Sequence, residues 1–123
     1  MLLQLLAFWF LFDFHCYLLR GDFSLLYEKV RRYPRSYRPW TPEFVDRVCT
    51  SMSMVCVWYP SRVLCLQRSA ATTCLLRRFG VPAQMTVGSQ LFPFRLHAWV
   101  ELNGRIVNDK PDVPEMYNVL DRF

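Results

Sequence analysis

Residues 65–80 read CLQRSAATTCLLRRFG, and residues 81–109 continue as VPAQMTVGSQLFPFRLHAWVELNGRIVND. The period changes between these two stretches. In the first, Cys65, Ser69, Thr72 and Leu76 fall on one stripe of a helix. The helix is expected over residues 65–79, with Gly80 closing it and Pro82 blocking its continuation. In the second, alternation takes over. Residues 83–87 read as a strand, residues 88–93 as a loop and residues 94–102 as a second strand. Asn103-Gly104 is a turn, and residues 105–109 return as a third strand. One helix followed by an antiparallel meander predicts an α+β fold, with the small side chains of the helix stripe allowing close approach to the sheet.

Outward from this region, Thr41-Pro42-Glu43 is a helix start, with Thr as N-cap, Pro in the first turn and a carboxylate near the positive end of the dipole. Phe44, Val48, Met52, Val55 and Tyr59 follow at helical spacing, and Pro60 ends the run. A shorter helix is expected over residues 23–32, followed by a proline-punctuated connector over residues 33–39. Residues 1–19 form a further helix. Its first twelve residues are nearly all apolar, but Asp13 and His15 interrupt them before the roughly 20 residues needed to span a bilayer. The first cation, Arg20, follows the run instead of preceding it, which is not a signal-peptide pattern. The segment reads as a core or partner-facing helix ahead of a membrane-surface anchor, with peripheral membrane contact as the alternative. One domain is expected over residues 1–123: residues 1–60 mainly helical, residues 61–109 the catalytic core, and residues 110–123 a tail without a clear period.

Composition narrows the function classes. With 53% hydrophobic and 16% aromatic residues the chain is not disordered. The formal net charge of +5 is concentrated at Arg31, Arg32, Arg35 and Arg38, then at Arg77 and Arg78. No groove-reading or base-stacking motif accompanies these arginines, so nucleic acid is not an expected partner. Five cysteines, Cys16, Cys49, Cys56, Cys65 and Cys74, form an odd set that suits free thiols in a reducing compartment. None are spaced as CxxC, and no metal or cofactor is expected. Cys49 and Cys56 read as small core residues.

The chemistry-bearing residues are Cys65, His97 and Asp109. Cys65 lies at a helix start, where the dipole and unpaired N–H groups favour negative charge. Cys74, nine residues on, lies on the opposite side of the helix and reads as structural. His97 and Asp109 sit on the two arms of one hairpin. A two-residue turn would put them on opposite faces, whereas a three-residue loop would pair Glu101 with Arg105 and His97 with Asp109. The second register matches charge with charge, and it is the expected one, with Gly104 at positive φ. A thiolate, a base and a group that orients the base are the parts that nucleophilic acyl transfer requires.

The stretches CLQRSAATTCLLRRFGVPAQMTVG and PFRLHAWVELNGRIVND closely resemble the transglutaminase-like leader peptidases of lasso-peptide biosynthesis. The resemblance is carried by C-L-x-R-S, L-L-R-R-x-G-V-P-A, H-A-W-V-E, G-R and N-D, in that order. It covers residues 65–109, while the helical N-terminal part carries no matching motif. It implies a papain/transglutaminase-like α+β fold, in which N-terminal helices and a nucleophile helix pack on a small antiparallel sheet. It also implies a cytoplasmic cysteine protease that removes the leader from a ribosomally made lasso-peptide precursor. The family's nucleophile, base and orienting acid fall on Cys65, His97 and Asp109. The backbone N–H of Cys65 is the first oxyanion donor by its helix-start position. The second donor stays open, with Gln67 and Arg68 nearby but equally readable as structural residues.

Some members of this family add a winged-helix domain that recognises the leader. The chain has no room for one, so the resemblance implies the split form. The expected partners are then the precursor peptide, a separate leader-recognition protein and the lasso cyclase. A different acyltransferase or amidase of the same fold is an alternative reading, and a non-catalytic membrane or partner adaptor is another.

Overall fold

The computed structural model describes residues 2–35, 37–91, 93–109 and 111–123. Met1, Ser36, Phe92 and Lys110, expected at the start of the first helix, in two loops and at the start of the tail, lie outside them. The elements run α1 (Leu2–Leu19), α2 (Phe23–Arg32), α3 (Pro42–Trp58), α4 (Cys65–Arg78), β1 (Gln84–Gln90), β2 (Arg95–Leu102), β3 (Arg105–Ile106), α5 (Val113–Met116) and β4 (Asn118–Arg122). The strands form one antiparallel sheet in the order β3-β2-β1-β4. The α+β architecture expected from residues 65–109 is the one observed.

The helix starts follow their sequence signals. Asp22 Oδ1 accepts from the Leu25 N–H at 3.1 Å, and Thr41 Oγ1 accepts from the Phe44 N–H at 3.1 Å, with Pro42 in the first turn. Gly80, at φ 84°, ends α4 with its N–H on the Arg77 carbonyl. An added Cβ there would lie 2.6 Å from the Arg38 Cβ, so this glycine serves both the turn and the passing connector.

α4 is the centre of the molecule. Nearly every residue from Gln67 to Arg77 is buried, because α1, α3 and the sheet all pack on it. The small residues Ser69, Ala70, Ala71, Thr72 and Thr73 make that possible, since a bulkier helix could not take neighbours on several sides at once. α1 contributes Ala7, Leu11 and Phe14 to the core, and its Asp13 is ion-paired with Lys29 of α2. By length and apolarity α1 could also cross a membrane, and Leu2, Leu5 and Trp9 on it are about two-thirds exposed.

Buried Arg77 ties three segments together. Its Nε donates to the Ala83 carbonyl at 2.8 Å, its Nη2 to the Phe123 carbonyl at 2.6 Å, and its Nη1 to the Val30 carbonyl. Burial pulls the guanidinium down to about 10, yet every nitrogen has an acceptor. The residues between 110 and 123, read from sequence as an aperiodic tail, instead supply α5 and the edge strand β4. β4 pairs with β1 and shifts register between Val87 and Gly88. Pairing with β2 carries β1 on to Gln90, into the stretch expected as a loop.

Candidate active site

The hairpin that carries His97 departs from its expected register. Leu102 pairs with Arg105 and Glu101 with Ile106, so the turn is a two-residue one at Asn103-Gly104. Asn103 has φ 52° and Gly104 φ 79°, the two left-handed positions of a type I′ turn. Charge matching pointed elsewhere because Glu101 has other partners. Its carboxylate accepts from Trp99 Nε1 at 2.9 Å and from Arg122 Nε of β4 at 3.0 Å. Burial alone would push the Glu101 carboxyl up, but these hydrogen bonds and the Arg122 charge together hold it below the usual carboxylate range.

His97 and Asp109 nevertheless meet: His97 Nε2 and Asp109 Oδ2 are 2.5 Å apart. A regular third strand in this register would send Asp109 to the far face of the sheet. The strand stops at Ile106. The Val107 N–H still donates to the Val100 carbonyl at 3.0 Å, but the Val100 N–H donates at 2.8 Å to the side-chain Oδ1 of Asn108. An amide side chain thus takes the place of the next backbone carbonyl in the ladder. The main chain is freed to bend, and Asp109 arrives at His97.

The same asparagine reaches α4. Asn108 Nδ2 donates to Ser69 Oγ at 3.4 Å, and Ser69 Oγ donates to the Ala98 carbonyl at 3.0 Å. Ser69 is one turn after Cys65 and Ala98 is next to His97, so this short chain of bonds fixes α4 against β2 beside the site. Cys65 is the first residue of α4 and is solvent-exposed. Leu64 gives no side-chain cap, so the first-turn N–H groups have no capping side chain to bond. Cys65 and His97 together line two cavities. One, of about 230 Å³, also holds Val63, Arg68, Ser69, Asn108 and Asp109. With Nε2 facing Asp109, Nδ1 is the ring nitrogen left for a second partner.

The flat side of the imidazole is also held. Tyr117, between α5 and β4, stacks on His97 with centroids 5.2 Å apart, and Trp99 lies at 6.0 Å. Gly88 makes room for this cluster: a Cβ there would lie 2.8 Å from the Trp99 ring and 3.0 Å from the Tyr117 Cβ. Asn108 and Tyr117 were not singled out by sequence, and Glu101 was read only as the partner of Arg105. Only the Asn-Asp pair adjoining the hairpin was a usable signal.

Of the two residues near Cys65 left open by sequence as donors, Gln67 is committed elsewhere. It is buried and its Nε2 donates to the Leu11 carbonyl of α1 at 2.9 Å. Arg68 Nη2 donates to Ser53 Oγ of α3 at 2.8 Å while the side chain borders the polar cavity. The other thiols are set apart by environment. Burial pushes Cys74 up to about 12 and Cys49 up to about 11. Among the described residues no cluster of three His, Cys, Asp or Glu side chains could hold a metal ion.

The chain is similar to the microcin J25-processing protein McjB of Escherichia coli, at 32% identity over 56 residues. That match covers 46% of this chain and 27% of the relative, so the chain spans well under half of the protein it resembles. No solved structure matches. A family model described as the Transglutaminase-like superfamily matches residues 8–122, from the first helix to the last strand. The chain belongs to the transglutaminase-like superfamily.

Proposed function

We propose that this chain is a cysteine peptidase that removes the leader from a lasso-peptide precursor, with Cys65 as nucleophile, His97 as base and Asp109 as the group that orients it. The observation that carries the reading is the His97–Asp109 hydrogen bond, formed on the wall of a cavity that Cys65 also lines. The likeness to a microcin-processing protein supports the substrate class.

In this mechanism the Cys65 sulfur attacks the carbonyl carbon at the leader–core junction, and its proton resides on His97. The oxyanion that forms points at the uncapped first turn of α4, where the Cys65 N–H is the first donor. The carbon–nitrogen bond breaks as His97 passes its proton to the departing amine. Water then adds to the thioester and gives a proton to His97. Collapse releases the leader carboxylate and returns the thiol. Asp109 accepts from Nε2 throughout and keeps Nδ1 aimed at the sulfur. A separate leader-binding protein supplies the precursor in the cytoplasm by raising its effective concentration.

Mass spectrometry of a lasso-peptide precursor incubated with the chain tests the reading. Wild type and Cys74→Ala should yield free leader and core, faster with the leader-binding protein, and Cys65→Ala should yield neither. Full cleavage by Cys65→Ala removes the nucleophile assignment. An amine-linked product in place of a free carboxylate makes the chain an acyltransferase instead.

A further inference from the structure

The reacting pair faces a second cavity of different character. On this side Cys65, His97 and Ala98 share a space of about 240 Å³ with Phe23, Tyr27, Leu66, Val87 and Leu96. Among the described residues its lining holds no Asp, Glu, Lys or Arg, whereas the other cavity holds Arg68, Ser69, Asn108 and Asp109. The cleft is therefore polar on one side of the nucleophile and apolar on the other.

Two of the lining residues have no role in the protein's own core. Phe23 is 51% and Leu96 is 55% exposed, although both are large and apolar. Phe23 begins α2 and Leu96 precedes His97 on β2, so elements far apart in sequence bring them to the same cavity. Tyr27, one turn after Phe23, is held in place by stacking on Phe123 at 4.8 Å. Exposed apolar groups converging beside a nucleophile are what a preformed subsite looks like before its ligand covers them.

We infer that this cavity is a specificity subsite that takes a bulky apolar side chain of the substrate peptide next to the bond being cut, with Phe23 and Leu96 as the residues that select it. The inference rests on Cys65 as the reacting atom, because the acyl bond to its sulfur brings a flanking peptide residue to these walls. An acidic side chain placed there would lose water, and among the described lining residues only His97, already paired with Asp109, could carry a positive charge to meet it. The subsite therefore favours Leu or Phe over Asp and Glu.

A pair of electrophiles with the same warhead tests this on the full chain. Chloroacetamide and N-benzylchloroacetamide differ only in an apolar arm, and alkylation of Cys65 is read by mass spectrometry, with rates normalised to free cysteine. In wild type the benzyl reagent should react about ten-fold faster or more, the low end of what apolar pockets discriminate. In Leu96→Ser and in Phe23→Ser the ratio should fall toward one while the chloroacetamide rate holds. Both positions are half in water, so both variants keep the core, and continued protection of buried Cys74 from the same reagents is the check on folding. A wild-type ratio near one, or a ratio that survives both substitutions, overturns the subsite. Peptide cleavage judges the underlying reading separately. A ten-fold ratio with no precursor cut keeps the subsite and removes the peptidase, whereas cutting with a flat ratio does the reverse.

Discussion

Asn108 Oδ1 accepts a hydrogen bond from the backbone N–H of Val100 at 2.8 Å, and this one bond decides where Asp109 goes. The carbonyl of Val107 would hold that position in a continuing strand, and Asp109 would then face away from His97. Asn108→Ala leaves the Val100 N–H without its acceptor, at a cost of about 1–3 kcal/mol. It also lets the segment drift, and misplacement by an ångström can lower turnover about 100-fold. The expected result is a folded protein with modestly reduced thermal stability and a far larger loss in kcat than in binding. Wild-type kcat in Asn108→Ala would show that the bend does not depend on this side chain.

The thiols should separate by reactivity. At pH 8, a Cys74 thiol pushed up to about 12 is ionised to about one part in ten thousand, and it is fully buried as well. Cys49, pushed up to about 11, is also largely protonated. Iodoacetamide on the native protein should therefore modify exposed Cys65 well before Cys74 or Cys49, and denaturant should expose the rest. Site-resolved mass spectrometry in which Cys74 labels as fast as Cys65 would contradict the packing of α4.

Tyr117 acts on the ring plane of His97. Stacked aromatic pairs are worth about 0.5–1.5 kcal/mol, so removing the ring should lower kcat by up to about ten-fold with KM little changed. Tyr117→Phe keeps the stack and should recover the wild-type rate, while Tyr117→Ala should not. Wild-type activity in both variants would mean the hydroxyl and the ring are alike irrelevant to positioning.

Glu101 predicts a specific acid sensitivity. Its folded-state carboxyl titrates below the ordinary range, so the free carboxylate binds protons less readily in the fold than in the unfolded chain. The stability this gives is complete above the ordinary carboxylate range and is lost as pH falls through the folded-state value. Melting temperatures measured from about pH 6 down to about pH 3 should drop less steeply in Glu101→Gln than in wild type, and the variant should be less stable at pH 7 by on the order of 1 kcal/mol. Parallel curves would remove the Trp99–Glu101–Arg122 network as a contributor.

The sequence by itself determined the helices, because their signals are local. Asp22 and Thr41 cap, Pro42 and Gly80 start and stop, and the burial of Val48, Met52 and Val55 repeats the spacing read from the residues. It also determined that Cys65 begins a helix and that Asn103-Gly104 turns a hairpin, since both depend on a few adjacent residues. Tertiary structure decided the register of that hairpin. Glu101 was matched by sequence to Arg105, but it is satisfied by Trp99 on its own strand and by Arg122 of β4, 21 residues further along the chain. A long-range pairing of this kind leaves no local trace, and the same holds for β4 itself, which is exposed along its whole length and has no alternation to read. The meeting of His97 with Asp109 required both levels. The sequence placed the two residues on the arms of one hairpin, and the capture of Val100 by the Asn108 side chain turned the chain so that they touch.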